Sequence, residues 1–287
     1  MARVIALSIP AILAELSSMA MQYIDAAMAG SLGANASASI GLVSTSTWLL
    51  SGLCISAANG FSVQTAHFIG AGEEAAARRV LRQSLLAALL FGASLSALGI
   101  SVSSSLPVWL GGDPEIRADA SRYFFIYACA IPAVQIRQLT GSMLQCSGNM
   151  RTPSLLNAAM CGLDVIFNAL LIFPRISIPL LRIAIPGAGL GVAGAALGTA
   201  LAEWVTAFLM AAAVCFRSPA LRLRRGEPWR LERSCMRNAA RIAVPMAFEH
   251  MVMCGAQIVS TRIVAPLGTV SVAANSLAVT AESLCYM

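Results

Sequence analysis

Apolar residues fall into eight long runs separated by short polar stretches: residues 4–30, 35–62, 83–107, 121–144, 153–174, 187–215, 238–264 and 270–287. A helix needs about 20 predominantly apolar residues to cross the hydrocarbon core of a bilayer, and each run meets or approaches that length. The pattern predicts an all-α polytopic membrane protein with eight spans. The first run is not a cleaved leader: it is too long, carries one basic residue (Arg3), and leads straight into the second.

Two of these runs share a template. Pro10 precedes Leu32-Gly33 as Pro245 precedes Leu267-Gly268, an offset of 235 positions. At that offset Gln22 meets Gln257, Ala38 meets Ala273, Leu42 meets Leu277 and Leu49 meets Leu284, with no gap. A long repeat in an apolar chain suggests a transporter built from two related halves. The expected organisation is an N-lobe of six helices over 1–215, an Arg-rich linker over 216–237, and an incomplete C-lobe, helices 7 and 8, over 238–287.

Composition agrees. The chain is 58% hydrophobic and 11% charged, with a mean hydropathy of +0.77, against roughly 25% charged residues in soluble domains. All 19 basic residues are Arg. With the N-terminus inside, thirteen fall on internal segments: Arg3, Arg78, Arg79, Arg82, Arg151, Arg217, Arg222, Arg224, Arg225, Arg230, Arg233, Arg237 and Arg241. Only Arg117, Arg122, Arg175 and Arg182 fall outside. This is a positive-inside bias, so the charge reads as orientation and as attraction to anionic headgroups, not as nucleic-acid binding. The eight cysteines are scattered singly, which argues against a disulfide framework or a zinc site. No nucleophile–base arrangement, phosphate loop or dinucleotide fingerprint is present, so no enzyme is expected. Gly194 and Gly198, four apart in a Gly-rich run, read as close helix packing.

The chemistry lies in polar groups within the apolar runs, where a charge costs about 2.5–3.5 kcal/mol on insertion scales and normally faces protein or a watery cavity. Glu15, Gln22 and Asp25 share one side of the first span. Asn157, Cys161, Asp164 and Asn168 form a narrow stripe along the fifth, Thr199 and Glu203 share a face of the sixth, and Glu249 and Gln257 align in the seventh. Asn157 and Thr199 also suit hydrogen bonds between helices, and Glu15 and Glu249 suit an interface or lobe contact. Arg137, inside the fourth span, needs a partner or water, and a structural ion pair fits it better than a substrate contact. Asp25 and Asp164 lie far from any membrane boundary and are the strongest candidates for ion or proton handling.

The run Tyr23-Ile24-Asp25-Ala26-Ala27-Met28-Ala29-Gly30-Ser31-Leu32-Gly33 resembles the first-helix signature of the multidrug and toxic compound extrusion (MATE) transporters. Gln145-Cys146-Ser147-Gly148-Asn149-Met150-Arg151-Thr152-Pro153 is similar to that family's turn between helices 4 and 5, and Gly191 to Thr199 to its sixth-helix pattern. The stretch from Pro245 to Ala274 looks like its helix 7 entering helix 8.

The resemblance implies two six-helix lobes around a central cavity. It implies multidrug efflux by alternating access: export of amphipathic or cationic small organic compounds in exchange for H+ or Na+, without a cofactor. It also implies a monomer in a bacterial inner membrane, N-terminus cytoplasmic. Asp25 matches the family's acidic coupling position and Thr199 its helix-6 threonine. The family's helix-5 pair, Asn then Asp, is reversed here as Asp164 then Asn168, which displaces the charge by about one turn, roughly 5.4 Å. The expected cation-coupling set is Asp25, Asp164, Asn168, Thr199 and Asn157, with Na+ a candidate at the first four. Gln22, Glu203, Glu249, Gln257 and Glu15 are candidate cavity or lobe-contact residues. Competing readings are a lipid-linked saccharide flippase of related architecture and a non-transporting fragment.

Overall fold

The computed structural model describes residues 2–178, 183–223 and 231–286. Among them are nine α-helices in the order α1 (Ala2–Ser31), α2 (Ala34–Gly70), α3 (Glu74–Val102), the single turn α4 (Leu106–Trp109), α5 (Pro114–Cys146), α6 (Arg151–Ile172), α7 (Val192–Ala212), α8 (Arg233–Val264) and α9 (Thr269–Tyr286). The eight long helices fall at the eight apolar runs. One short antiparallel hairpin departs from the all-α expectation. In the loop between α6 and α7, β1 (Arg175–Ile178) pairs with β2 (Ile183–Pro186), Arg175 opposite Pro186.

By length and composition, α2, α3, α6, the continuous segment Val192–Arg217 and the segment Arg233–Leu267 are long and apolar enough to cross a membrane. Helix α5 falls outside that set among the described residues, and its place explains why. It packs against α2, α3 and α7, so Gln135 is only 1% exposed and Arg137 faces the cavity and Glu203. A polar residue is tolerated at membrane depth where it faces protein or a watery cavity.

Helix boundaries follow local chemistry. Asp113 caps α5 by accepting the Glu115 N–H at 3.1 Å, with Pro114 in the first helical position, where no N–H is needed. The turn into α6 is closed by Asn149, whose Oδ1 accepts the Thr152 N–H at 3.1 Å. The two repeat turns have one backbone geometry: Gly33 sits at φ 108, ψ 175 and Gly268 at φ 103, ψ 168. Only glycine takes that region without strain, which gives the Leu-Gly template its physical reason.

Two apolar clusters hold the helices. One joins α2 and α5 to α9, through Ala38, Leu42, Ile131, Val272 and Ala273. The other joins α2, α3 and α5 to α8, through Ala58, Leu81, Leu139, Met143 and Ala239. Helix α2 belongs to both and forms the seam between the first seven helices and the last two. A cavity opens between α2 and helices α1, α5, α6, α7 and α9.

Candidate functional site

Helices α6 and α7 meet closely enough to shape the site. Gly198 lies against Asn168, where any Cβ would collide with the Asn168 amide oxygen. Gly194 lies against the Leu171 carbonyl at the 2.5 Å that a Cβ would reach. The expected role of the Gly-rich run in close packing is seen directly: the missing side chains let Asn168 seat at the helix interface.

From that seat Asn168 joins two helices. Its Nδ2 donates to Asp25 Oδ1 on α1 at 3.0 Å and to Asp164 Oδ2, one turn back on α6, at 3.0 Å. Both amide hydrogens are thereby spent on carboxylates. Asp164 is fully buried, Asn168 is 1% exposed and Asp25 is half-buried. Among the described residues, Asp164 Oδ1 and Asn168 Oδ1 have no hydrogen-bond partner, nor does Asn157 Oδ1 further down the same stripe. An unsatisfied buried acceptor costs about 1–3 kcal/mol. Among the described residues, the cluster thus offers carboxylate and amide oxygens and contains no cationic group. Two carboxylates in such surroundings carry both charges only with a cation beside them, or else hold a proton.

Beside the cluster lies a cavity of about 430 Å³. Helix α1 lines it with Gln22 and Asp25, α6 with Asn157, Cys161 and Asn168, and α7 with Thr199 and Glu203. Helix α9 reaches it with Ala273, Ser276 and Leu277. Arg137 of α5 also lines it and grips Glu203 side-on, Nε to Oε2 at 2.6 Å and Nη2 to Oε1 at 3.1 Å. This is the ion pair that Arg137 was expected to need.

The structure therefore brings Asp25, Asp164 and Asn168 into one hydrogen-bonded unit. The reversed order of the Asp164–Asn168 pair does not prevent this, because the amide reaches both carboxylates. Gln22, Asn157, Thr199 and Glu203 share the cavity. Glu249 is exposed on α8 and Gln257 is half-buried there; neither lines the cavity. The side chain of Glu15 lies outside the described residues.

Sequence reasoning missed two lining faces. One is the stripe Ser37, Ser44, Thr47, Trp48 and Ser51 on α2; the other is Tyr123 and Tyr127 on α5, with the Tyr127 hydroxyl donating to the Thr47 carbonyl at 3.2 Å. The α2 residues recur at helical spacing in an apolar run, so the signal was present. Among the described residues, no group of three or more His, Cys, Asp or Glu side chains converges as a metal cluster. A cation here would rest on mixed carboxylate, amide and hydroxyl oxygens, a donor set suited to hard ions.

Known proteins share this arrangement of helices. The probable multidrug resistance protein NorM of Thermotoga maritima is 25% identical over 286 residues, which cover 99% of this chain and 59% of the relative. The chain thus spans 59% of that relative's length. Two solved structures of a multidrug resistance MATE family transporter of the MOP superfamily match with a TM-score of 0.77 and 21% identity each. The outward-facing one covers 89% of this chain and 54% of its own; the inward-facing one covers 96% and 60%. Residues 10–170, more than half of the sequence, match the MatE family, whose members are transporters and not enzymes. The chain belongs to the MatE family.

Proposed function

We propose that these 287 residues carry the ion-coupling lobe of a secondary transporter that exports small organic compounds by alternating access, in exchange for H+ or Na+. The observation that carries this reading is the Asn168 amide shared between Asp25 on α1 and Asp164 on α6, at the wall of a cavity among apolar helices. A cation or proton on the cluster removes the repulsion between the two carboxylates. Losing it leaves two charges on different helices that only one amide holds together. The neutral and charged clusters favour different packings of α1 against α6, and an ion gradient then biases one packing over the other.

In this reading residues 1–215 form the N-lobe, 216–237 a cytoplasmic linker that favours anionic lipids, and 238–287 the opening helices of the second lobe. The protein lies as a monomer in the bacterial inner membrane with its N-terminus in the cytoplasm, and its substrates are amphipathic and often cationic. The flippase reading gains little support. A pyrophosphate calls for several cations, and Arg137, the one arginine among the described residues that line the cavity, already shares its charge with Glu203.

The test is dye efflux from vesicles containing the chain, with proton and sodium gradients imposed separately. The expected result is efflux driven by one of them and lost in Asp25→Asn. Efflux indifferent to both gradients, or unchanged in Asp25→Asn, refutes the reading.

A further inference from the structure

The Arg137–Glu203 pair leaves part of its cation unspent. A guanidinium has five N–H donors in a rigid fork. Glu203 takes two of them, Nε–H and one on Nη2, which leaves three, two of them on Nη1. Nη1 has no hydrogen-bond partner among the described residues and is not fully buried, and Arg137 lines the cavity. Glu203 is itself closed in, its side chain 9% exposed against 15% for Arg137. Both groups line the cavity, and the guanidinium is the one with donors left for a ligand.

The same cavity has aromatic walls, lined by Trp48, Tyr123 and Tyr127. The hydrogen bond from Tyr127 to the Thr47 carbonyl holds its ring in place. Flat apolar surface beside an oriented guanidinium suits an aromatic compound that carries a carboxylate, since the fork accepts a carboxylate in two parallel hydrogen bonds.

We propose that Arg137 is a substrate-recognising residue whose open edge binds a carboxylate of the transported compound, with Glu203 as the positioning residue that fixes the guanidinium plane. The cavity then prefers aromatic zwitterions, whose cationic group is joined to a carboxylate, over the same compounds with the carboxylate masked. This rests on the reading of the cavity as a substrate site and narrows its substrate class.

The test is equilibrium binding to the reconstituted chain, read by fluorescence polarisation. The probe is one xanthylium dye used both as its free carboxylic acid, a zwitterion, and as its methyl ester, a cation. The wild type is expected to bind the acid about tenfold tighter than the ester. Arg137→Gln should reverse that order, because it leaves Glu203 uncompensated beside the dye. The double variant Arg137→Gln with Glu203→Gln, which strands no charge and so guards against loss of folding in the single variant, should bind both forms alike. A wild type that prefers the ester, or a double variant that keeps the wild-type ratio, overturns the role of Arg137 while leaving the cavity as a substrate site. Failure of the wild type to bind either form overturns the substrate site itself.

Discussion

The two copies of the internal repeat have one backbone and different chemistry. Gly33 and Gly268 turn the chain in nearly the same conformation. Positions 41 and 276, equivalent at the 235-residue offset, touch where α2 crosses α9: a Cβ at Gly41 would lie 2.6 Å from the Ser276 Cβ. Equivalent positions in contact are what a two-fold relation between halves produces on its axis. Asp25 in the first copy nevertheless corresponds to Ser260 in the second. Asp25 joins a buried polar cluster, whereas α8 leaves Ser260, Glu249, Phe248 and Val252 exposed. The two turns share one backbone frame, and the polar cluster lies within the first seven helices.

The sharpest way to break that contrast is to strip a carboxylate from each region. Glu203→Ala leaves Arg137 without its counter-ion at the cavity wall, a loss of about 3–5 kcal/mol for a buried pair. Glu249→Ala removes an exposed group and should change stability by less than about 0.5 kcal/mol. Unfolding midpoints in detergent should separate the two clearly. Similar values would mean that Glu203 is not held as its geometry indicates.

The frame itself is open to the opposite test. Gly33→Ala and Gly268→Ala each force a Cβ into a backbone region that glycine alone occupies freely, at about 1–3 kcal/mol. Because the two turns match, the two losses should match. A clear inequality in the same unfolding assay would show that one copy depends on its turn and the other does not.

Much of the molecule is legible in its amino-acid sequence, for reasons that differ by residue. The spans show in hydropathy because lipid-facing and packed helices both demand apolar side chains. Asp25 and Asp164 show because a carboxylate in an apolar span has few structural uses. The α2 lining is harder to see. Ser44 and Thr47 donate to the carbonyls of Gly41 and Ser44 one turn back, at 2.9 and 2.8 Å, so their hydroxyls need no distant partner and announce none. The pairing of Arg137 with Glu203, 66 positions apart, depends on how α5 packs on α7. Glu249 and Glu203 look alike as carboxylates in apolar runs, and only the packing shows one exposed and the other enclosed.

Transplanting the charge asks whether the chemistry follows the residue or its surroundings. Asp25→Asn should abolish the dependence of dye affinity on Na+ or H+, a change of about tenfold, or ~1.4 kcal/mol. Ser260→Asp should create no such dependence, because an exposed carboxylate on α8 lacks the Asn168 amide and the second carboxylate. A cation response appearing in the Ser260→Asp variant would place coupling in the frame and not in the cluster.

The smallest expected effect isolates location alone, because Gln22 and Gln257 are the same residue at equivalent positions. Gln22 lies on the cavity wall of α1, three residues before Asp25, and its amide is available to a ligand there. Gln257 is half-buried on α8 outside the cavity, where its backbone carbonyl accepts from the Thr261 hydroxyl at 3.0 Å, a bond that survives truncation of the side chain. Loss of one neutral hydrogen bond is worth about 0.5–1.5 kcal/mol. Gln22→Ala should therefore weaken dye binding severalfold, and Gln257→Ala should leave it unchanged, both measured by fluorescence polarisation. Equal losses from both would mean that α8 closes onto the ligand together with α1, so that the two copies share one binding surface as well as one backbone.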